Sequence, residues 1–224
     1  MIVSCITPTA GRRDFWSNCV KHFLVQDWPD LEWVIVDNGE DTMHDLLPDD
    51  SQGLFLNRRL TYVRIPGPRL KHGELMNIAM THARGKIAIV WDDDDWYAPD
   101  RVRKQVQPLV DRPEIDIVGT GRLYYYIYGT KRAFLYRNLT PRAWLAAPAF
   151  RRSIWEAHKF EDMPQGSDTI LENKVLRERW LDLNDLGLLV ASIHPGNAAA
   201  KRVPNPALVE TPWEEVEKVT KGTL

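Results

Sequence analysis

Cysteine is scarce: Cys5 and Cys19 are the only two in 224 residues. Two cysteines build neither a disulfide framework nor a zinc cluster, so a reducing, cytoplasmic setting is expected. Cys5 falls in a strand pattern and Cys19 on an apolar helix stripe, and both read as core filler. No run approaches the roughly 20 apolar residues of a membrane span. The first residues enter a strand pattern directly, without a basic-then-apolar leader, so no secretory signal is expected. Asn138-Leu139-Thr140 has the form of a glycosylation sequon and reads as coincidence in that setting. A net charge of −2 exerts no global pull toward nucleic acid. Internal repeats and low-complexity segments are absent. The first loop, Thr7-Pro8-Thr9-Ala10-Gly11-Arg12, holds a single glycine, which disfavours the Gly-rich phosphate loop of a nucleotidyltransferase.

What is present is an ordinary globular composition, 44% hydrophobic and 27% charged. Ile2 to Ile6 and Glu32 to Val36 read as buried strands. Phe15, Trp16, Cys19, Val20, Phe23 and Leu24 form a helix stripe between them. Tyr62 to Ile65 is a third strand. A helix through Leu75, Ile78, Ala79 and His82 stops near Gly85, and Ile87 to Trp91 is the next strand. This alternation predicts an α/β fold with a mostly parallel sheet. Further along, Ile115 to Gly119 and Leu188 to Ile193 read as strands, and Leu123 to Tyr128 with Phe134 to Tyr136 as a hairpin around Gly129. Asp168 to Trp180 and Glu214 to Lys221 read as helices. One domain over residues 1–224 is expected, with about 1–100 binding a nucleotide and about 101–224 shaping the acceptor site.

The most informative segment is Asp92-Asp93-Asp94-Asp95, between the apolar Ile87 to Trp91 and Trp96-Tyr97. Like charges this close repel, more so when half buried. A run wedged between apolar segments calls for a compensating cation, and a divalent metal with oxygen ligands is the natural candidate. Asp37 and the acidic run both follow strand ends, where open α/β sheets bind ligands.

These residues resemble glycosyltransferase family 2 with the GT-A fold. The resemblance rests on Ile6-Thr7-Pro8-Thr9, Val34-Ile35-Val36-Asp37-Asn38-Gly39, the helix around Asn77, and Val90 to Pro99 with its four aspartates. Gly166-Ser167-Asp168-Thr169 and His194-Pro195-Gly196-Asn197 are looser matches, and Ser167 stands where the family commonly has glutamate. The resemblance implies a Rossmann-like, mostly parallel central sheet flanked by helices, with a small antiparallel hairpin in the acceptor half. It implies transfer of a sugar from a nucleotide sugar, most often a UDP-sugar, to an acceptor hydroxyl with inversion, assisted by Mn2+ or Mg2+. Asp92 and Asp94 match the family's Asp-x-Asp motif, with Asp94 on the metal and Asp93 and Asp95 in support. Thr7, Pro8, Arg12, Asp37, Asn77, Asp92 and Asp93 are the expected nucleotide-sugar contacts. His194 is a candidate metal ligand or diphosphate contact, and Asp168 the candidate catalytic base. Glu161 and Asp162 are fallback bases.

Plainer readings stand beside these. Asp37 opens an Asp-Asn-Gly turn, and Asp168 suits an N-cap. Trp96, Tyr97, Trp144 and Trp155 suit packing as well as sugar stacking. Three other functions are carried forward: a nucleotidyltransferase, a non-catalytic sugar- or calcium-binding module, and the same transfer chemistry on a modified base in DNA. The last draws on Tyr124 to Tyr128 beside Lys131, Arg132 and Arg137, an aromatic-basic mix that can bind single strands. The acceptor, whether glycan, small molecule or DNA base, is open.

Overall fold

The computed structural model describes residues 1–47, 58–137, 144–197 and 203–224. The sequon at 138–140 lies outside them. In chain order the elements are β1 (Val3–Thr9), α1 (Arg13–Leu24), β2 (Leu31–Asp37), β3 (Arg58–Arg64), α2 (His72–His82), β4 (Ile87–Val90) and β5 (Trp96–Tyr97). They continue with α3 (Arg101–Asp111), β6 (Ile117–Thr120), β7 (Arg122–Ile127), β8 (Ala133–Arg137), β9 (Ala146–Arg151) and α4 (Arg152–His158). The last are α5 (Ser167–Asn173), β10 (Trp180–Asp182), β11 (Leu189–Ile193), β12 (Leu208–Thr211) and α6 (Trp213–Thr220).

The main sheet has seven strands in the order β10-β6-β9-β4-β1-β2-β3. All its neighbours pair in parallel except β9, which runs antiparallel to β4 and β6. Side chains alternate across the sheet, so odd positions of β1 face one layer and even positions the other. Val3, Cys5, Trp33 and Ile35 meet Trp16, Cys19 and Phe23 of α1 and Val102, Val106 and Leu109 of α3. Ile6, Val34, Val36 and Val90 meet Leu75, Met76, Ala79 and Met80 of α2, with Trp155 of α4 and Leu171 of α5. Covered on both faces, β1, β2 and β4 are continuous apolar runs, as parallel strands generally are. Burial pushes the Cys5 thiol up to about 12 and raises Cys19 as well, so both stay neutral, free and packed.

The expected hairpin, β7 with β8, is the middle of a larger second sheet, ordered β12-β8-β7-β11-β5. Its pairs are antiparallel apart from β7 with β11. This sheet holds a third cluster with Val216 of α6.

One expectation is corrected here. The helix expected over Asp168 to Trp180 ends at Asn173, because Trp180 is drawn into the sheet opposite Ile117. Several elements went unread, among them α3, β9, α4 and β12. β9 is Ala-Ala-Pro-Ala-Phe-Arg, with little strand propensity and a proline. Among the described residues no helix is long and apolar enough to cross a membrane.

Candidate active site

Because β4, β1 and β2 are parallel neighbours, their carboxyl ends open on the same edge. The loop after β1 brings Arg12 there, and β4 leads straight into the acidic run. The start of α5 and the turn after β11 close the rim. Between them is a cavity of about 160 Å³ lined by Arg12, His72, Asp92, Asp94, Asp95 and Asp168, with Pro8, Gln165, Gly166 and Asn197. A second cavity of about 80 Å³ shares Pro8, Arg12 and His72 with it and continues to Thr9, Arg69, Leu70 and Pro164. A larger cavity of about 490 Å³ beside α1, lined by Val25, Trp96 and Tyr97 among others, has no carboxylate on its wall.

The four aspartates differ in environment. Asp93 is buried, accepting hydrogen bonds from Thr9 Oγ1 at 2.5 Å and Arg12 Nη1 at 2.7 Å. Burial pushes its carboxyl up to about 6, against the pull of Arg12. Asp94 Oδ2 receives Arg12 Nη1 at 2.8 Å and Asn197 Nδ2 at 3.2 Å, and His194 Nε2 lies 2.9 Å away. Asp95 Oδ1 accepts from the Ser192 backbone N–H at 2.9 Å, tying the run to β11. The Asp92 backbone N–H donates to the Tyr97 hydroxyl at 2.9 Å, and its side chain lines the cavity. Burial penalises the Arg12 charge, but Asp93 and Asp94 more than offset this and raise its pKa. The compensating cation that the sequence analysis assigned to a metal is, for Asp93 and Asp94, the Arg12 guanidinium.

Asp94 and His194 offer a carboxylate oxygen and an imidazole nitrogen at one point, a donor pair suited to Mn2+ or Mg2+. Among the described residues no group of three His, Cys, Asp or Glu is arranged to hold a metal. The pair therefore fits an ion whose remaining ligands are water and phosphate, the habit of Mg2+ in nucleotide sites. The Phe15 ring packs against His194 at a tilt of 36°, with ring centroids 4.4 Å apart.

Asp168 is half-buried in the first turn of α5, where Gly166, at φ 71°, leads the chain into the helix. Gly166 occupies the N-cap, so Asp168 is not the cap its position in sequence suggests. One turn on, Glu172 is buried and held well above the usual carboxylate range by burial and then by Asp168. The fallback bases point elsewhere: Glu161 pairs with Lys174 at 3.0 Å and Asp162 with Lys71 at 2.9 Å, both exposed.

Several expected contacts face away from the cavity. Thr7 is fully buried, donating to Trp91 O at 2.7 Å and accepting from Trp33 Nε1 at 2.8 Å. Its neighbour Pro8, on the opposite face of β1, is the one on the cavity wall. Asn77 clamps the end of α4, accepting from Trp155 Nε1 at 2.8 Å and Phe160 N at 3.0 Å and donating to Phe160 O at 2.9 Å. Asp37 is buried and organises its own turn, accepting from Gly39 N at 2.8 Å, Met43 N at 3.1 Å and Tyr62 Oη at 2.5 Å. Asp93 supports Arg12 from behind. Trp96, Tyr97 and Trp155 are packed in the interior. In the hairpin, Arg132 pairs with Glu210 at 3.1 Å and Lys131 with Glu217 at 3.7 Å. Those acids blunt the basic face on which a DNA acceptor would depend.

Sequence reasoning missed His72, whose Nδ1 lies 2.8 Å from Ser167 Oγ, and Gln165 beside it. His72 carries no motif in the sequence, and its partner is 95 residues away.

The model for glycosyl transferase family 2 matches residues 4–182, which include β1 to β10 but not His194. TuaG of Bacillus subtilis (strain 168), named as a teichuronic acid biosynthesis glycosyltransferase, is 28% identical over 112 residues. That match covers 50% of this chain and 43% of TuaG. The crystal structure of S. aureus TarS 1-349 with UDP-GlcNAc superposes with a TM-score of 0.67 at 16% identity, over 100% of this chain and 66% of that one. The mannosyltransferase PcManGT from Pyrobaculum calidifontis, with GDP-Man and Mn2+, superposes with a TM-score of 0.61 at 21% identity. It is matched over 90% of this chain and 58% of that one. At such identities the likeness to solved structures is one of fold.

Proposed function

The chain belongs to glycosyl transferase family 2, and we propose that it transfers a sugar from a nucleotide sugar, a UDP-sugar first, to an acceptor hydroxyl with inversion. The observation that carries this reading is the meeting of Arg12, Asp92, Asp94 and Asp168 in one cavity, from three separate segments of chain. UDP-GlcNAc in TarS and GDP-Man with Mn2+ in PcManGT support a nucleotide-sugar donor. The first half, about 1–100, binds the donor, and about 101–224 contributes the base and the acceptor side. The two buried, free thiols suit a reducing cytoplasmic setting.

In this reading the nucleoside occupies the smaller cavity, against Pro8, Arg69 and Leu70, and the sugar lies over Asp92 toward Asp168. Asp94 and His194 would hold a divalent metal, which when bound would offset the charge on the departing nucleoside diphosphate. Asp168 accepts the proton of the acceptor hydroxyl as its oxygen attacks the anomeric carbon. The bond from that carbon to the diphosphate oxygen breaks on the opposite face, through an oxocarbenium-like transition state. The electron pair leaves with the diphosphate and the proton stays on Asp168.

The test combines thermal shift and transfer assays with UDP and GDP sugars, with and without Mn2+, since a bound donor stabilises the fold by mass action. Asp94→Ala should lose transfer and the Mn2+-dependent part of donor stabilisation. Asp168→Asn should keep that stabilisation and lose transfer by about 10²- to 10⁴-fold. Normal activity in Asp94→Ala, or weakened UDP binding in Asp168→Asn, contradicts these roles. A wild-type protein that no nucleotide stabilises contradicts the whole reading.

A further inference from the structure

The two cavities share three residues, Pro8, Arg12 and His72. A nucleoside diphosphate with its base in the smaller cavity and its sugar in the larger must cross between them. We propose that the His72 imidazole is the second side of a diphosphate clamp opposite Arg12, and that it takes up a proton as the diphosphate binds. This rests on the donor site proposed above.

The geometry supplies the handle. His72 is the first residue of α2, and its Nδ1 is fixed 2.8 Å from Ser167 Oγ. Nε2 has no hydrogen-bond partner among the described residues, and it is not among the sealed, unsatisfied atoms of the interior. It is thus left to the shared wall. Ser167 is fully buried, and its hydroxyl can accept from an Nδ1–H in the neutral imidazole and in the imidazolium alike. The anchor therefore tolerates both protonation states. In the ligand-free site, burial lowers the His72 pKa, Asp168 pulls it up and Arg12 pushes it down. Asp92, Asp94 and Asp95 also face the cavity, Arg69 lies on the wall of the smaller one, and Lys71 and Glu74 flank His72 on its own helix. Arg12 is already committed to Asp93 and Asp94, so an entering diphosphate meets a guanidinium that two carboxylates share. Its negative oxygens beside Nε2 favour the imidazolium. A solvent proton adds to Nε2, the new N–H donates to a phosphate oxygen, and the proton returns to solvent when the diphosphate leaves.

The test is calorimetric titration of UDP, with GDP in parallel, in two buffers of different ionisation enthalpy near pH 7.5. The wild type should take up more protons per UDP bound than His72→Gln, a difference that cancels the phosphate's own titration. In His72→Gln the UDP affinity should fall by about 10- to 100-fold, the scale of one charged hydrogen bond. Uridine, which has no phosphate, should bind both proteins alike. His72→Lys, a permanent cation, should regain most of the UDP affinity without the proton uptake. Equal proton uptake in wild type and His72→Gln overturns the proposal, as does a loss shared equally by UDP and uridine. Failure of the wild type to bind UDP or GDP overturns the donor site itself. Transfer and binding without any effect of His72 overturn only the clamp.

Discussion

Replacing Arg12 by methionine tests how the acidic run is tolerated. The Asp93 side chain has no exposed surface and that of Arg12 only 17%. One guanidinium nitrogen serves both Asp93 at 2.7 Å and Asp94 at 2.8 Å. Removing one partner of a buried pair costs about 3–5 kcal/mol, and the partial exposure of Arg12 lowers the expected loss to about 2–4 kcal/mol. The pH dependence is the sharper signature. Asp93 has a folded pKa of about 6 because of its burial, above the unfolded value near 3.9. Protonation therefore favours the fold: the contribution of Asp93 is most favourable below about pH 4 and is lost as pH rises through about 6. Without Arg12 the folded pKa moves higher still, so the penalty at neutral pH grows. Urea unfolding at pH 8 should show Arg12→Met less stable by the full amount, and at pH 5 by clearly less. Arg12→Met with Asp93→Asn should recover most of the loss at pH 8. Unchanged stability at pH 8, or the same deficit at both pH values, refutes the assignment of Arg12 as the compensating cation.

Two further outcomes follow from buried polar groups outside the cavity. Burial holds His22 down at about 4; a neutral His22 contributes stability above about pH 6.5 that is lost as pH falls through 4, about 3 kcal/mol for the whole shift. Urea midpoints of His22→Gln should therefore vary less than wild type over that window, and an identical profile refutes the linkage. Asn77→Ala removes three hydrogen bonds that hold the end of α4; it should cost about 2–3 kcal/mol in urea unfolding, with UDP affinity unchanged within about twofold. A stable Asn77→Ala with a weakened UDP complex would restore Asn77 as a donor contact.

The legible parts of the fold are those whose signal is local. β1, β2 and β4 are buried on both faces and so are written as apolar runs, with acids at or just past the carboxyl ends of β2 and β4. β9 carries no such writing. Its alanines and Pro148 form a strand only because β4 and β6 flank it. α3 has Val102, Val106 and Leu109 at helical spacing, but Arg101 and Gln105 on the same buried stretch obscure it. Their reason is tertiary. Arg101 lies 3.9 Å from the Tyr97 ring centroid and donates to Val90 O and Ala147 O. Strand parity separates Thr7 from Pro8, since adjacent strand residues point to opposite faces of the sheet. Asp37 was legible in part as the opening of its Asp-Asn-Gly turn, whereas Asn77 was not, because Trp155 and Phe160, which occupy it, lie 78 and 83 residues away. His72 was hidden for the same reason: its meaning depends on Ser167.

The acidic run works as a junction between remote segments, and this constrains how a metal binds there. Arg12 arrives from the loop after β1, while His194 and Asn197 arrive from the turn after β11; all three meet on Asp94 Oδ2. Ser192 holds Asp95 from the same strand. The run thus joins the ends of β1, β4 and β11, and its charge is shared with protein donors before any ligand arrives. In the proposed donor site a divalent ion at Asp94 would compete with the guanidinium and the Asn197 amide for one oxygen, with His194 as the other donor among the described residues. Two donors, one of them contested, make a weak site for the ion alone. A diphosphate bound there would reverse the balance: it would supply further oxygen ligands and give Arg12 a third anionic partner beside Asp93 and Asp94. Metal and nucleotide should consequently bind with positive coupling, each raising the affinity of the other by the same factor.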